Sequence, residues 1–211
     1  MEPLTLKILG SWITAAKDIL VGLSAVAAAI FAFLGLHAWR KELKGRSEYQ
    51  LAKDVLKSVY KVREAFKHVR HMAIYQYEYP EQMRDHNGHL KREHDYEGTA
   101  HVYQKRWEKM DEAFKELEEH HLAAQVEWGS EFQDKIVKLR RCRAELLVAI
   151  QQLLERKKNP VRTEMIRSEQ AAEERSVLYH IGGDSEYDKF TPQIDDAVNE
   201  FDKWLRPHVR K

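Results

Sequence analysis

An uninterrupted apolar run from Ile19 to Leu36 constrains this chain more than any other feature. The run contains 18 residues and no charged side chain. At about 1.5 Å per residue, such a helix is about 27 Å long, close to the ~30 Å hydrocarbon thickness of a bilayer. Trp12 and Trp39 flank the run, where interfacial aromatic residues are typical of membrane helices. The sequence therefore predicts a transmembrane helix over residues 19–39, preceded by a short amphipathic segment, residues 1–18.

Two other interpretations of this run stay open. A buried core helix of a soluble domain can be equally apolar. A cleaved signal peptide is the second alternative, because Ala25-Val26-Ala27 has the small-residue pattern of a cleavage site. The apolar run continues well past that tripeptide and ends in a basic cluster, however, which is typical of a stop-transfer segment.

The flanking charges predict the orientation of the span. Two basic residues precede it, Lys7 and Lys17. Four follow it within ten residues: Arg40, Lys41, Lys44 and Arg46. Basic residues accumulate on the cytoplasmic side of membrane spans, so we expect the N-terminus outside and residues 47–211 in the cytoplasm of a bacterial cell, with the span in its inner membrane. The single Cys142 offers no intramolecular disulfide and fits a reducing compartment.

Composition favours long exposed helices beyond the span. The chain has 35 Lys and Arg against 34 Asp and Glu, a balance that argues against a general nucleic-acid-binding protein. Charged residues make up 33% of the chain, whereas it has only nine Gly and five Pro in 211 residues. The predicted fold class is all-α: one transmembrane helix followed by a long antiparallel helical hairpin or bundle over residues 47–211.

Apolar periodicity and capping residues predict the helix boundaries. Ser47 and Gln50 have the spacing of a capping box and predict that a new helix begins there. Ser130 and Gln133 repeat this signal before the fourth helix. The last helix is expected to begin near Thr191, with Pro192 at its first position, and to end at Pro207. The predicted helices span residues 48–75, 99–127, 131–158, 161–176 and 191–207.

A seam in the predicted helix 99–127 has the spacing of a packed helical core. Its members alternate steps of four and three: Tyr103, Trp107, Met110, Phe114, Leu117, His121, Ala124 and Trp128. This pattern predicts that the helix packs against the preceding helix as an antiparallel hairpin.

Residues 81–98 are expected to form a polar, histidine-rich loop. His86, His89 and His94, with Asp85 and Asp95 nearby, are residue types that bind divalent metals. Their spacing matches no established metal site.

Glu118 and His121 have the Glu-x-x-His spacing of di-iron bundles, which require a second copy of the motif on a facing helix. The chain contains no second copy. We therefore predict no metal site and no cofactor.

Arg175 and His180 are the candidate catalytic pair. They form an Arg-x4-His motif that resembles the motif of the all-helical HEPN ribonucleases. The resemblance implies that Arg175 holds a phosphate and that His180 performs acid–base chemistry on the 2′-hydroxyl. Arg63 and His68 form a second copy. About one such match is expected by chance in a chain of this composition, so the motif alone decides little.

Three stretches near the span carry a further resemblance. Residues 39–45, 48–52 and 59–63, with Arg206-Pro207-His208 at the end of an amphipathic helix, resemble bacterial proteins with one N-terminal span and a helical cytoplasmic body. In layout the chain is also similar to membrane-bound accessory or effector proteins of antiphage systems, including the transmembrane accessory protein of type VI-B CRISPR systems. The resemblance implies no particular activity.

These observations lead to three functional hypotheses. The first is a membrane-anchored cytoplasmic interaction protein that binds a protein partner or itself. The second is an antiphage effector that oligomerises through small residues of its span and permeabilises the membrane. The third is a membrane-tethered HEPN-like ribonuclease, and nucleic acid is an expected partner under this hypothesis alone.

Overall fold

The fold is all-α, as predicted. A computed structural model describes residues 3–129, 131–159, 168–181 and 188–209. The described part of the chain contains no β-strand, and its α-helices are α1 Pro3–Val69, α2 Asp95–Trp128, α3 Glu131–Lys158, α4 Ser168–Leu178 and α5 Phe190–Val209. The chain divides into two compact units, Met1–Glu48 and Tyr49–Lys211.

The first unit is helical, and its apolar run is fully exposed. The large hydrophobic side chains from Ile19 to Leu36 are 45% to 74% exposed. This is the one stretch, in the part of the chain that the structure describes, that is long and apolar enough to cross a membrane. Its length and composition support the predicted span, and its exposure argues against a buried core helix.

The second unit is a four-helix bundle made from the C-terminal part of α1 together with α2, α3 and α5. The helices joined by the contacts below run antiparallel, because the residue numbers of the contacts rise along one helix while they fall along the other. Between α1 and α2 these contacts are Lys61–Glu116 and His71–Arg106. Between α2 and α3 they are Glu118–Arg140 and Asp95–Lys157. Between α1 and α5 they are Tyr60–Asp202 and Arg70–Thr191. The short α4 packs against α3 and α5.

The core of the bundle confirms the predicted seam on α2. Met110, Phe114 and Leu117 are at most 1% exposed, and Trp107 at the edge is partly buried. Phe66 of α1 packs edge-to-face on Phe114, with ring centroids 6.1 Å apart. Each fully buried side chain of this size contributes about 1.5–3 kcal/mol through the hydrophobic effect.

The predicted helix start at Ser47 is wrong, because α1 continues through it without a break. Gly45 costs a helix only about 1 kcal/mol relative to alanine, and the residues around it are strong helix formers. The Gln50 side chain donates to the Asp54 carboxylate one turn later instead of capping a helix start.

The boundaries around the histidine-rich loop also differ from the prediction. Helix α1 ends at Val69, six residues before the predicted end at residue 75, because the next side chain, Arg70, turns into the interior. Helix α2 begins at Asp95, so residues 95–98 of the predicted loop are helical. Gly98 lets the Leu90 side chain lie close to the α2 backbone, since a Cβ at this position would lie 2.5 Å from the Leu90 Cδ1 atom and the leucine would have to move.

Helix α5 begins at Phe190, one residue earlier than expected. The Asp188 carboxylate accepts a hydrogen bond from the Thr191 backbone N–H and so performs the capping role predicted for Thr191. Pro207 lies inside the last turn, and the helix continues to Val209. The predicted cap at Ser130 and residues 161–167 of the predicted helix 161–176 lie outside the described residues, and the rest of that predicted helix lies in α4.

Candidate functional site

Arg70 is the largest fully buried side chain at one end of the bundle, where α1 ends, α4 ends and α5 begins. Only 1% of the residue is exposed. Its guanidinium donates hydrogen bonds to the Ser176, Val177 and Tyr179 carbonyl oxygens, at 2.7–2.9 Å. Helix α4 ends at Leu178, so its last carbonyl groups have no helical partner. Arg70 therefore acts as the C-terminal cap of α4.

Asp188 balances the charge of Arg70. Its carboxylate is fully buried and lies 2.8 Å from the Arg70 guanidinium. It also accepts hydrogen bonds from the Thr191 hydroxyl and backbone N–H, and from the Ile181 backbone N–H. Burial raises the pKa of Asp188, but the hydrogen bonds from Thr191 and Arg70 outweigh it and lower the pKa to about 2. The carboxylate is consequently ionised at every physiological pH.

The predicted catalytic residue His180 belongs to this network. Its Nδ1 atom lies 3.1 Å from the Thr191 hydroxyl oxygen and 3.4 Å from the Asp188 carboxylate. The single Thr191 hydroxyl proton is donated to Asp188, so both atoms that face Nδ1 are acceptors. The tautomer with the proton on Nδ1 satisfies both contacts, and in that tautomer Nε2 is the unprotonated nitrogen. The His180 side chain is 26% exposed.

The structure does not join the predicted partner Arg175 to His180. Arg175 is exposed on α4, beside the Arg156–Glu174 ion pair. Among the described residues, no hydrogen bond connects the two side chains. The polar groups within reach of the His180 ring are Thr191 and Asp188, and the buried arginine of the network is Arg70. Sequence reasoning missed Arg70 because a lone arginine at the end of an apolar stripe gives no signal.

The second Arg-x4-His copy is dispersed in a similar way. The Arg63 guanidinium lies over the Tyr60 ring, 5.1 Å from its centroid, and pairs with Glu64. His68 is half-buried on α1, where burial and the neighbouring Lys109 lower its pKa. Neither side chain contacts the network around Arg70.

A second buried arginine, Arg106 of α2, holds the segment that follows α1. Its guanidinium binds the Glu78 carboxylate through two hydrogen bonds, at 2.8 and 2.9 Å. It also donates to the backbone carbonyl oxygens of His71 and Ala73. Burial raises the pKa of Glu78, but the hydrogen bonds from Arg106 and the Tyr75 backbone lower it overall. The irregular segment 71–78 is thereby fixed to the bundle.

Three aromatic rings stack on the outside of this fixed segment. We call His71, Tyr75 and Tyr77 the aromatic ladder. The His71 and Tyr75 centroids are 5.6 Å apart, and the Tyr75 and Tyr77 rings are 5.5 Å apart and within 5° of parallel. Tyr75 is 48% exposed and Tyr77 is 76% exposed. A backbone bridge pairs His71 with His180, which places the ladder beside the Asp188 network.

The histidine-rich loop forms a small hairpin beside the ladder. Residues 82–91, called here the histidine hairpin, are closed by a bridge between Arg84 and Leu90. The Asp85 carboxylate accepts the Asn87 and His89 backbone N–H groups and shapes the turn. Gly88 has φ +84° and lies so close to Gln76 that a Cβ would be 2.9 Å from its amide oxygen. The hairpin therefore packs directly against the ladder segment.

The residue types that can bind metals do not form a cluster in the described part of the chain. Within the described ranges, no three His, Cys, Asp or Glu side chains converge as a metal site requires. The Glu118 carboxylate pairs with Arg140, and His121 is buried on the α2 seam, where burial lowers its pKa. Cys142 is buried in the core, and this burial raises its pKa to about 11, so its thiol is unreactive.

A shallow open depression of about 880 Å³ lies along α1 and α2. Its floor contains apolar groups of Leu56, Tyr60, Ala65 and Ala113, and its rim carries lysine and glutamate side chains. The depression is open to solvent and does not enclose a small ligand.

Comparisons of this chain with protein-family models, with curated proteins and with solved structures find no match.

Proposed function

We propose that this chain is a single-pass membrane protein that holds a helical bundle at the cytoplasmic face of a bacterial inner membrane, where the bundle associates with itself and with protein partners. The observation that carries the proposal is the exposed helix from Ile19 to Leu36. Large hydrophobic side chains in this stretch are 45% to 74% exposed, and no charge interrupts it. A lipid bilayer covers such a surface without requiring any other partner.

The insertion is tested by placing charges at the centre of the span. An aspartate near the middle of a membrane helix costs about 2.5–3.5 kcal/mol, so we expect the double variant Val26→Asp/Ile30→Asp to be released from membranes by alkaline carbonate. Val126→Asp is the matched control, because Val126 is 89% exposed on the bundle. Retention of the double variant at the wild-type level would contradict the proposed span.

The proposed orientation rests on the four basic residues that follow the span within ten positions. Labelling with a membrane-impermeant maleimide tests it in a Cys142→Ala background. We expect a cysteine introduced at Thr5 to react in intact cells, whereas one introduced at the exposed Lys57 reacts only after lysis. The reverse pattern would show that the bundle faces the outside.

Self-association is supported by the small residues that recur at four-residue intervals along the span: Ser24, Ala28 and Ala32. Small residues let helix backbones approach closely in lipid. Light scattering of the full-length protein, with the detergent contribution subtracted, should give a discrete multiple of 24.9 kDa. A monomeric mass would contradict self-association. Binding to other proteins would then remain as the proposed role, with the depression along α1 and α2 as the candidate face.

A second candidate function, a membrane-tethered ribonuclease, is favoured by one observation. His180 Nδ1 contacts the Thr191 hydroxyl oxygen, which orients the ring, and in the tautomer with the proton on Nδ1 the other nitrogen, Nε2, would accept a proton as a general base does. Arg175 would then bind the phosphate. RNA cleavage by the purified protein should disappear in His180→Ala and in Arg175→Ala, and should persist in the control His101→Ala. Cleavage that survives in His180→Ala would exclude this function.

A further inference from the structure

The aromatic ladder is an unusual surface for a helical bundle. Tyr77, at its end, is 76% exposed, and its ring is parallel to that of Tyr75 within 5°. Tyrosines on the surface usually pack their rings down onto apolar neighbours. Here the rings stack on one another, and the terminal ring leaves one flat face open to solvent.

The ladder is also held in place by buried contacts, although its rings are exposed. The buried Arg106 binds the carbonyl oxygens of His71 and Ala73 and both carboxylate oxygens of Glu78. These four contacts fix both ends of the segment that carries the rings. A ligand that stacks on Tyr77 therefore loses little free energy in ordering the site.

Polar and basic side chains lie next to the ladder in the chain and in the adjoining histidine hairpin. The Gln76 amide lies between Tyr75 and Tyr77 in the chain and contacts His89 Nδ1 at 3.4 Å. An amide beside a stacking surface can donate to and accept from the edge of a nucleobase. Arg84 and Lys91 belong to the histidine hairpin, which approaches the ladder segment where Gly88 meets Gln76, and they bring positive charge for a phosphate to this side of the bundle.

We propose that the aromatic ladder binds a nucleobase that carries a phosphate, stacked on Tyr77 with its edge toward Gln76. Every nucleobase has a flat π-face, so any base can stack on an open aromatic ring. The ligand is either a free nucleotide or a single-stranded RNA. The site lies outside the span and is independent of the proposed membrane anchoring.

The experiment uses full-length protein in detergent and a fluorescein-labelled decaadenylate RNA, with binding followed by fluorescence anisotropy. Tyr77→Leu keeps an apolar side chain but removes the flat ring, and Tyr77→Phe keeps the ring. Loss of one stacked base weakens binding by about 5-fold to 150-fold, so we expect that loss in Tyr77→Leu and near wild-type affinity in Tyr77→Phe. Tyr49→Leu, at an exposed tyrosine of α1, is the matched control and should bind like wild type.

Competition with AMP separates the two sources of the ligand. Displacement of the RNA by AMP at a similar nucleotide concentration identifies a mononucleotide site, and failure of AMP to compete identifies a single-stranded RNA site. The proposal is overturned if the wild-type protein binds neither probe, or if Tyr77→Leu binds as well as wild type. Equal binding of those two proteins would leave the ladder as a protein-docking surface. Carbonate extraction of the same variants tests the membrane proposal separately.

Discussion

Removal of the Asp188 charge should destabilise the bundle more than any single change on its surface. Both partners of the Arg70–Asp188 pair are at most 1% exposed. Asp188→Asn keeps the side-chain volume but leaves the buried guanidinium without a counter-charge. Breaking a buried pair in this way costs about 3–5 kcal/mol. The new amide group would also place its N–H donors against the Ile181 N–H or the Thr191 hydroxyl, which now donate to the carboxylate.

Thermal unfolding of the full-length protein in detergent, followed by circular dichroism at 222 nm, measures this effect. For a unit of this size, about 1 kcal/mol corresponds to a shift of about 2–4 °C, so a fall of roughly 6–20 °C in the midpoint is expected. Asp111→Asn is the matched control, because it breaks the exposed pair with Arg143 and should cost less than about 1 kcal/mol. Equal midpoints for the two variants would refute the view that Arg70 and Asp188 hold this end together.

Three further predictions concern pH, the core and the span. The pKa of Asp188 in the folded protein, about 2, lies below its usual 3.8. Its ionised carboxylate therefore stabilises the fold by about 2 kcal/mol above pH 4, and we expect this stabilisation to be lost as the pH falls toward 2. In Asp188→Asn the unfolding midpoint should vary less over this pH range. Leu117→Asp, at a side chain with no exposure, should unfold the bundle, whereas Leu122→Asp, at one that is 65% exposed, should leave the helicity and mass unchanged. Ala28→Leu should lower the oligomeric mass in detergent and any toxicity of the overexpressed protein, without releasing the protein from membranes. If the variant keeps the mass and toxicity of the wild-type protein, the small residues of the span are not the association surface.

The long helices could be predicted from sequence because their core stripes are long. The α2 seam has eight members at steps of three and four, and the described core contains most of them. The bounds of α3, Glu131–Lys158, also agree with the prediction. A long periodic pattern averages over many side chains, so single exceptions such as the buried Arg106 do not change the result.

Single-residue signals were less reliable than periodicity. Ser47 and Gln50 have the spacing of a capping box, but a cap forms only where the preceding residues leave the helix, and nothing before Ser47 does so. The true end of this helix, at Val69, depends on Arg70 reaching carbonyl groups more than 100 residues away in the chain. No local pattern contains that information.

The candidate site could be predicted only in part, because its residues come from distant segments. Sequence spacing paired Arg175 with His180, whereas the structure surrounds His180 with Thr191 and Asp188, at 3.1 and 3.4 Å. The four residues between Arg175 and His180 include the end of α4, so the two side chains do not share a helical face. The aromatic ladder gave no sequence signal, since Tyr75 and Tyr77 lie in a short segment without periodicity.

The two buried arginines suggest which end of the bundle carries the function. A helical bundle needs buried charge only where its backbone leaves the helical pattern, because elsewhere each carbonyl group has a partner within its own helix. Arg70 satisfies the carbonyl groups at the end of α4, and Arg106 satisfies those that follow α1. Both arginines thus stabilise irregular backbone at the same end, the backbone that presents His180 and the aromatic ladder. A connection that served folding alone could be a short exposed turn without buried charge. The cost of burying two guanidinium groups is explained if this end must hold accessible side chains in fixed positions for a ligand.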